Sequence, residues 1–387
     1  MSRQHWLRLA GAVVALALGA CSSISGAPPK GADDAPPADE LAAMKEVGEK
    51  AGGVIVWSSS REENHDLYTM KTDGSDVKQI TKGDQVDWFP RFSPDGSKIL
   101  FCRSKSGWVS ERDANSSDKW DLYTIASEGG EPEKVIKDAS WGSWISNDEV
   151  LFVRGTKIFR SKLGSGEETR IMDSEGVSDL SGALLQQPEL SADGKLIAIT
   201  LRGSKRETGI WNIAKKAWTQ TGLGCQINWT PDDSAIYWVH PTGNGGSRVF
   251  KMPIKDGAPP KQELDEDQLQ FMDMPGRRSH EYFPQLSRDG KWMVWGITQR
   301  GHDHDIADYE IYLWEVGTPF EKAVRLTHNS GNDRWPDIFI PSAAASASSA
   351  QATSETEKPA GADEPAAPAS KETEKPARGK KRPKGKR

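Results

Sequence analysis

The run "HDHDIAD" at 302–308 gathers the side chains in this chain best suited to holding a metal ion. His302 and His304 alternate with Asp303 and Asp305, Asp308 follows, and His280 stands upstream. Alternating residues of an extended loop can aim two imidazoles at Zn or Mn, while the carboxylates with Asp308 suit Ca through oxygen. The spacing matches neither a Cys/His zinc signature nor a complete EF-hand loop. Three readings stand at this point: Ca or Zn bound in a structural or adventitious way at 302–308, a catalytic metal, and a polar loop that braces its neighbours or is solvated. No cofactor is required on any reading except the catalytic one.

Other chemistry finds little support. "HEYFP" at 280–284 begins like a zincin helix, but Pro284 stands where the second His belongs. The chain contains no G-x-S-x-G nucleophile elbow, Walker loop or dinucleotide fingerprint.

The elements that must carry these residues are short, β-prone and repeated. "FSPDGSKILF" at 92–101 returns as "LSADGKLIAI" at 190, "WTPDDSAIYW" at 229 and "LSRDGKWMVW" at 286. Pro presets φ in such a turn, Asp bonds its own backbone and Gly accepts positive φ, so the chain reverses between antiparallel strands. Aligned on this turn, the sequence offers six units of about 40–55 residues, a period typical of propellers and solenoids. Each unit has four β-prone segments. The first unit, from "GVIVWSSS" at 53–60, lacks its opening segment, and "DRWPDIFIP" at 333–341 is an opening segment with nothing after it. A circle resolves both. The expected fold is all-β, a six-bladed β-propeller of four-stranded antiparallel blades, in which 333–341 completes the first blade. Cys102 and Cys225 then fall on blades across the ring, too far apart for a disulfide, and are expected as buried thiols.

Four segments follow: 1–20, 21–52, 53–341 and 342–387. Residues 1–20 combine Arg3 and Arg8 with the apolar run Leu9–Leu18, which is too short to span a bilayer and reads as a signal peptide. "LGAC" at Leu18–Cys21 resembles the lipobox of bacterial lipoproteins, which implies cleavage before Cys21 and lipid attachment there; the alternative is an ordinary secretory signal with a spare Cys. Several acyl chains would anchor a protein without a membrane helix, at ~0.8 kcal/mol per buried methylene. By the same resemblance Ser22, rather than Asp, favours the outer membrane facing the periplasm, with surface exposure left open. Residues 21–52 read as a flexible linker in which only 39–50 could be helical, and 342–387 as a disordered Ala/Pro/Lys/Glu tail. Residues 53–341 carry 44 acidic and 35 basic side chains, a balance that disfavours nucleic acid. The last ten residues, "RGKKRPKGKR", hold seven basic side chains. They could meet an anionic envelope polymer or remain a solvated tail.

"DLYTMKTDGSDVKQIT" at 66–81 with "DWFPRFSPDGSKILF" at 87–101 resembles the TolB-type, WD-like propeller repeat of bacterial periplasmic proteins. The resemblance covers about 290 residues and is strong in units one, two and six. It implies the propeller fold and an envelope setting. It departs at 22–52, which is too short for the α/β domain that precedes the propeller in that family.

In a four-stranded blade the first–second and third–fourth turns share one face, here called the turn face. The remaining connections share the opposite, loop face. The long segments 104–120, 173–185, 264–280 and 298–309 are all expected on the loop face, where binding residues concentrate on a rigid scaffold. The termini are expected on the turn face, so that the loop face looks away from the anchor. Glu62, Trp108, Arg112 and Arg300 lie in one sector of the loop face and are the candidate partner-binding residues; the alternative is that they only close the rim. The function expected is a non-enzymatic, lipid-anchored scaffold for unidentified envelope proteins. Two rivals stand beside it: a metal-dependent polysaccharide lyase or hydrolase using the His-rich loop, and a carbohydrate-binding module.

Overall fold

A computed structural model describes residues 36–342 apart from 63, 245 and 300. It contains six four-stranded antiparallel sheets, and the one mixed sheet places Asp333–Phe339 beside Val54–Ser59, followed by Asp66–Lys71 and Lys78–Gln79. The six-bladed propeller closed by the C-terminal strand is therefore observed. The other five inner strands are Asp87–Phe92, Ser140–Trp144, Ala183–Leu190, Cys225–Trp229 and His280–Leu286. No helix among the described residues is long and apolar enough to cross a membrane.

The recurring turn has one hydrogen-bond plan. The Ser93 hydroxyl donates to Asp95 (2.7 Å) and accepts from the Lys98 amide (3.0 Å), while Gly96 takes φ 74°. Ser191, Thr230 and Ser287 repeat the plan with Asp193, Asp232 and Asp289. In blade five Asp233 stands at the Gly position and takes φ 56°, a region that Asp tolerates better than most residues.

Every inner strand also carries a bulge that its sequence period does not announce. Phe89, Trp141, Gln187, Gln226, Phe283 and Trp335 occupy equivalent places, one per blade, and all have φ between 50° and 61°. Each sits inside a register shift between the inner strand and its neighbour. For bulky residues this left-handed backbone costs about 1–2 kcal/mol apiece. The strain is offset where the bulges meet. Phe89, Trp141, Phe283 and Trp335 are buried and pack edge-on or tilted, with centroids 4.3–5.5 Å apart. These rings fill the propeller axis at that level. Four of the fifteen tryptophans, Trp88, Trp120, Trp141 and Trp335, belong to this one aromatic cluster.

Three expectations change. First, the helix that 39–50 could form is present as Ala38–Ala51, α1, ended by Gly52 at φ 63°, but it is docked rather than part of a flexible linker. It buries Met44 and Ala51 against Val324, Leu326 and neighbouring apolar residues of blades six and one. Gly48 is required there, because a Cβ would lie 2.2 Å from Asp73 Cβ. Second, α1 is about 21 Å long and carries the chain from the loop face to the turn face. Lys50 near its end pairs with Glu315 (2.8 Å), and Glu40 near its start accepts from His328 Nε2 (2.8 Å), in the connection 326–332. The described N-terminal end is therefore on the loop face and the C-terminal end on the turn face, because α1 doubles back. Third, 264–280 is not one loop. It contains a helical turn Glu266–Leu269 and the strand Gln270–Met272, so the long connection of blade five is 254–269, on the turn face. The connections 105–119, 174–182 and 299–309 do lie on the loop face.

Cys102 and Cys225 are both free, Cys102 fully buried and Cys225 half-buried, on blades two and five. Burial pushes the Cys102 thiol up to about 12.

Candidate functional site

Two loops from non-adjacent blades meet over the loop face and are tied to the closing strand. The connection 105–119 of blade two folds into short 3-10 turns at Glu111–Asp113 and Ser117–Lys119. Ser110 starts the first by accepting from the Arg112 amide (3.1 Å) and donates its hydroxyl to Asp305 of blade six. Glu111 is buried and accepts from three side chains: His304 Nδ1 at 2.6 Å, Trp335 Nε1 at 2.8 Å and Arg334 at 3.0 Å. Arg334 also reaches Asp305 (3.2 Å) and the His304 carbonyl. Asn332 donates to that same carbonyl at 2.7 Å.

Two carboxylates share one guanidinium. Burial pushes the Asp305 carboxyl up, but the Arg334 guanidinium, the Ser110 hydroxyl and the Glu111 amide together outweigh it, leaving Asp305 below its ordinary range. Because the acceptors of blades two and six share one buried cation from blade one, neither loop can shift without exposing an unpaired charge. Trp335 links this brace to the axial plug, since its ring is in the plug and its Nε1 on Glu111.

The residues expected to gather around a metal are distributed among separate partners. Asp303 pairs with Arg112, Asp305 with Arg334, and Asp308 with Arg278 (3.0 Å) and Thr298 (2.8 Å). His304 is held by Glu111, and His302 stacks on Tyr282 with centroids 6.1 Å apart. His280 lies near His302; burial first, then that neighbour, lowers its proton affinity. Among the described residues no three His, Cys, Asp or Glu side chains converge as a metal cage. The loop's polar residues brace blades.

Of the partner-binding candidates, Trp108 is 53% exposed, Glu62 is exposed, and Arg112 is exposed on one side while paired to Asp303 on the other. Arg300 lies outside the described residues, as does Cys21. Sequence reasoning missed Ile306, which is 66% exposed on the same loop as the brace. It also missed Ser110, Glu111 and Arg334, for which no local pattern existed. The bulges did leave a signal, since Phe89, Gln187, Phe283 and Trp335 each precede a proline.

Comparison with known proteins gives likenesses of limited extent. No family model matches the chain. It is 25% identical over 156 residues to the uncharacterized protein Atu1656 of Agrobacterium fabrum, covering 37% of this chain and 49% of that one. It is 32% identical over 60 residues to a TolB homolog of Chlorobium luteolum, covering 16% of this chain and 14% of that one. The chain thus spans about half the length, or less, of these curated relatives. Among solved structures, TolB from Acinetobacter baumannii matches at TM-score 0.45 and 12% identity, over 71% of this chain and 69% of that one. The chain is a six-bladed β-propeller, and the solved and curated proteins it is similar to include TolB proteins.

Proposed function

We propose that this chain is a non-enzymatic protein-binding scaffold of the bacterial envelope, held to a membrane by lipid on Cys21. The observation that carries the reading is the brace on the loop face. Glu111, Arg334, Asp305 and His304 fix two long loops in one geometry, and those loops hold Trp108 and Ile306 in solvent. A surface that is ordered before binding loses less entropy on binding, and exposed aromatic anchors are the residues that dominate interface energies. Among the described residues, Glu111 and Asp305 of the brace are paired with Arg334 and His304. The "LGAC" motif supports the anchor, and the bacterial relatives named above are in keeping with an envelope setting.

The test is crosslinking in intact envelopes with wild type, Trp108→Ala and Ile306→Asp, alongside radiolabelled palmitate incorporation with Cys21→Ser. A discrete adduct in wild type that both loop variants lose, with unchanged melting temperature, supports the scaffold. An adduct indifferent to both variants removes the loop face from the reading. Metal-dependent turnover of an acidic polysaccharide by the purified protein would replace the scaffold with the lyase.

A further inference from the structure

The axial plug divides the propeller, and the turn-face side of that division is a built cavity. Two residues beyond each bulge the inner strands present a second ring, again one residue per blade: Arg91, Ser143, Glu189, Asn228, Gln285 and Asp337. All but Asn228 line a cavity of ≈150 Å³, with the exposed Arg288 at its rim. Asn228 is turned aside to the Gln226 and Pro284 carbonyls.

The ring is polar, buried except at the half-exposed Glu189, and incompletely satisfied. Arg91 is only 6% exposed, and its guanidinium lies over the Phe89 ring, 3.9 Å from the centroid. It donates to the Pro90 carbonyl (2.9 Å), but its Nε has no partner. Asp337 accepts from the Phe92 amide through one oxygen (2.7 Å). The Glu189 carboxyl accepts no hydrogen bond from a described residue, although its backbone carbonyl takes Trp229 Nε1 (3.0 Å). Buried polar groups are normally paired, and one left unpaired costs about 1–3 kcal/mol. Here the Arg91 Nε–H is left without an acceptor, and the half-buried Glu189 carboxyl has no donor among the described residues. With both carboxyls ionised, two guanidiniums and two carboxyls sum to no net charge, so neither a bare anion nor a bare cation matches the ring. The volume is below the roughly 300–1,000 Å³ of pockets for drug-sized ligands, so only a few heavy atoms fit.

We propose that this cavity binds a small zwitterion of the free α-amino acid class, its carboxylate received by Arg91 and Gln285 and its ammonium by Glu189 and Asp337. The site is on the opposite end of the axis from the braced loops and goes beyond the scaffold reading. Protonation gives it a second signature. Burial pushes Glu189 up to about 7 and raises Asp337, while Arg91 opposes both shifts, Arg288 faces Asp337 and Tyr237 packs behind. An arriving ammonium favours the charged carboxylate, so binding near neutral pH releases a proton and tightens as pH rises through 7.

The experiment is calorimetric titration of the full-length protein with glycine, L-alanine and L-serine, and with N-acetylglycine and glycine methyl ester as half-ligands. The expected result is saturable binding of at least one amino acid, with both half-ligands at least about tenfold weaker. R91Q and E189Q should each lose about tenfold or more, and R288Q, an exposed rim change that leaves the fold intact, a smaller factor. W108A should bind as wild type. Absence of saturable binding by all three amino acids overturns the proposal. Equal binding of a half-ligand, or full affinity in R288Q together with unchanged pH dependence, overturns it as well. Loss of loop-face adducts with intact amino-acid binding would defeat the scaffold alone.

Discussion

Replacing Trp335 with Ala tests whether the axial plug holds the ring together. The side chain is fully buried, touches Phe89, Trp141, Phe283 and Trp88, and donates to Glu111. Truncating a buried Trp costs about 3–5 kcal/mol through lost transfer energy and the cavity left behind. The hydrogen bond to a carboxylate adds about 1 kcal/mol, at the low end because Glu111 keeps Arg334 and His304. A total near 5 kcal/mol corresponds to a fall of roughly 10 °C at about 2 °C per kcal/mol for a domain of this size. Trp335→Phe keeps an aromatic ring but loses the indole N–H and part of the buried bicycle, so a loss of about 2–3 kcal/mol follows, smaller than for Ala. Trp335→Gly relieves the backbone strain at φ 53° by about 1–2 kcal/mol. That offsets its usual flexibility penalty of about 0.5–1 kcal/mol, so it should match or exceed Trp335→Ala, against the ordinary order for a strand. The assay is urea and thermal denaturation followed by circular dichroism, with the exposed Trp108→Ala, within about 0.5 kcal/mol of wild type, as control. A Trp335→Ala protein within about 1 kcal/mol of wild type would refute the plug as a structural element.

Three further outcomes are expected. Glu111→Ala leaves Arg334 and His304 without a shared acceptor, costs about 3–5 kcal/mol, and should speed amide exchange in 105–119 and 299–309 together, which mass spectrometry can read. Burial, aided by Asp333, pushes Glu310 up to about 8. Its protonated folded form therefore stabilises most at low pH, and that contribution is lost as pH rises from the unfolded value near 4.3 through 8. Glu310→Gln should flatten this decline in denaturation midpoints measured from pH 5 to 9. Gly48→Ala places a Cβ against Asp73 and should release α1, read as new protease cleavage within 38–51 while the blades stay intact.

The blades were legible because turn chemistry is local. "SPDG" needs one Ser, one Asp and one Gly at fixed offsets, and the structure uses each for the bond its chemistry allows. Ring closure was legible because the first unit starts one strand late and 333–341 supplies that strand. The bulges were not read from the strand period, which an inserted residue shifts without changing the apolar content of "DWFPRF" or "DRWPDI"; the proline after four of them was the one local mark. The brace was invisible for a different reason: Glu111 and Arg334 are 223 positions apart, and nothing near either residue marks it as buried. The helix at 39–50 was legible, but its docking hid behind its composition. Rich in Ala and charge, it is held by Met44, Ala51 and the close approach at Gly48 rather than by a broad apolar stripe.

The doubling back of α1 has a mechanical meaning. The strands Val54–Ser59 and Asp333–Phe339 form the joint at which the ring closes, and the segment leading into the first of them lies along the outside of blades six and one. A pull applied at residue 36 does not reach that joint directly. It first meets the Glu40–His328 contact, then Met44, and only at the far end of the helix the Lys50–Glu315 pair and Gly53. Contacts loaded one after another give way at low force, whereas the ladder of paired strands is loaded all at once along its length. The helix is thus a strain relief, able to peel and re-dock while the circle of blades behind it stays shut.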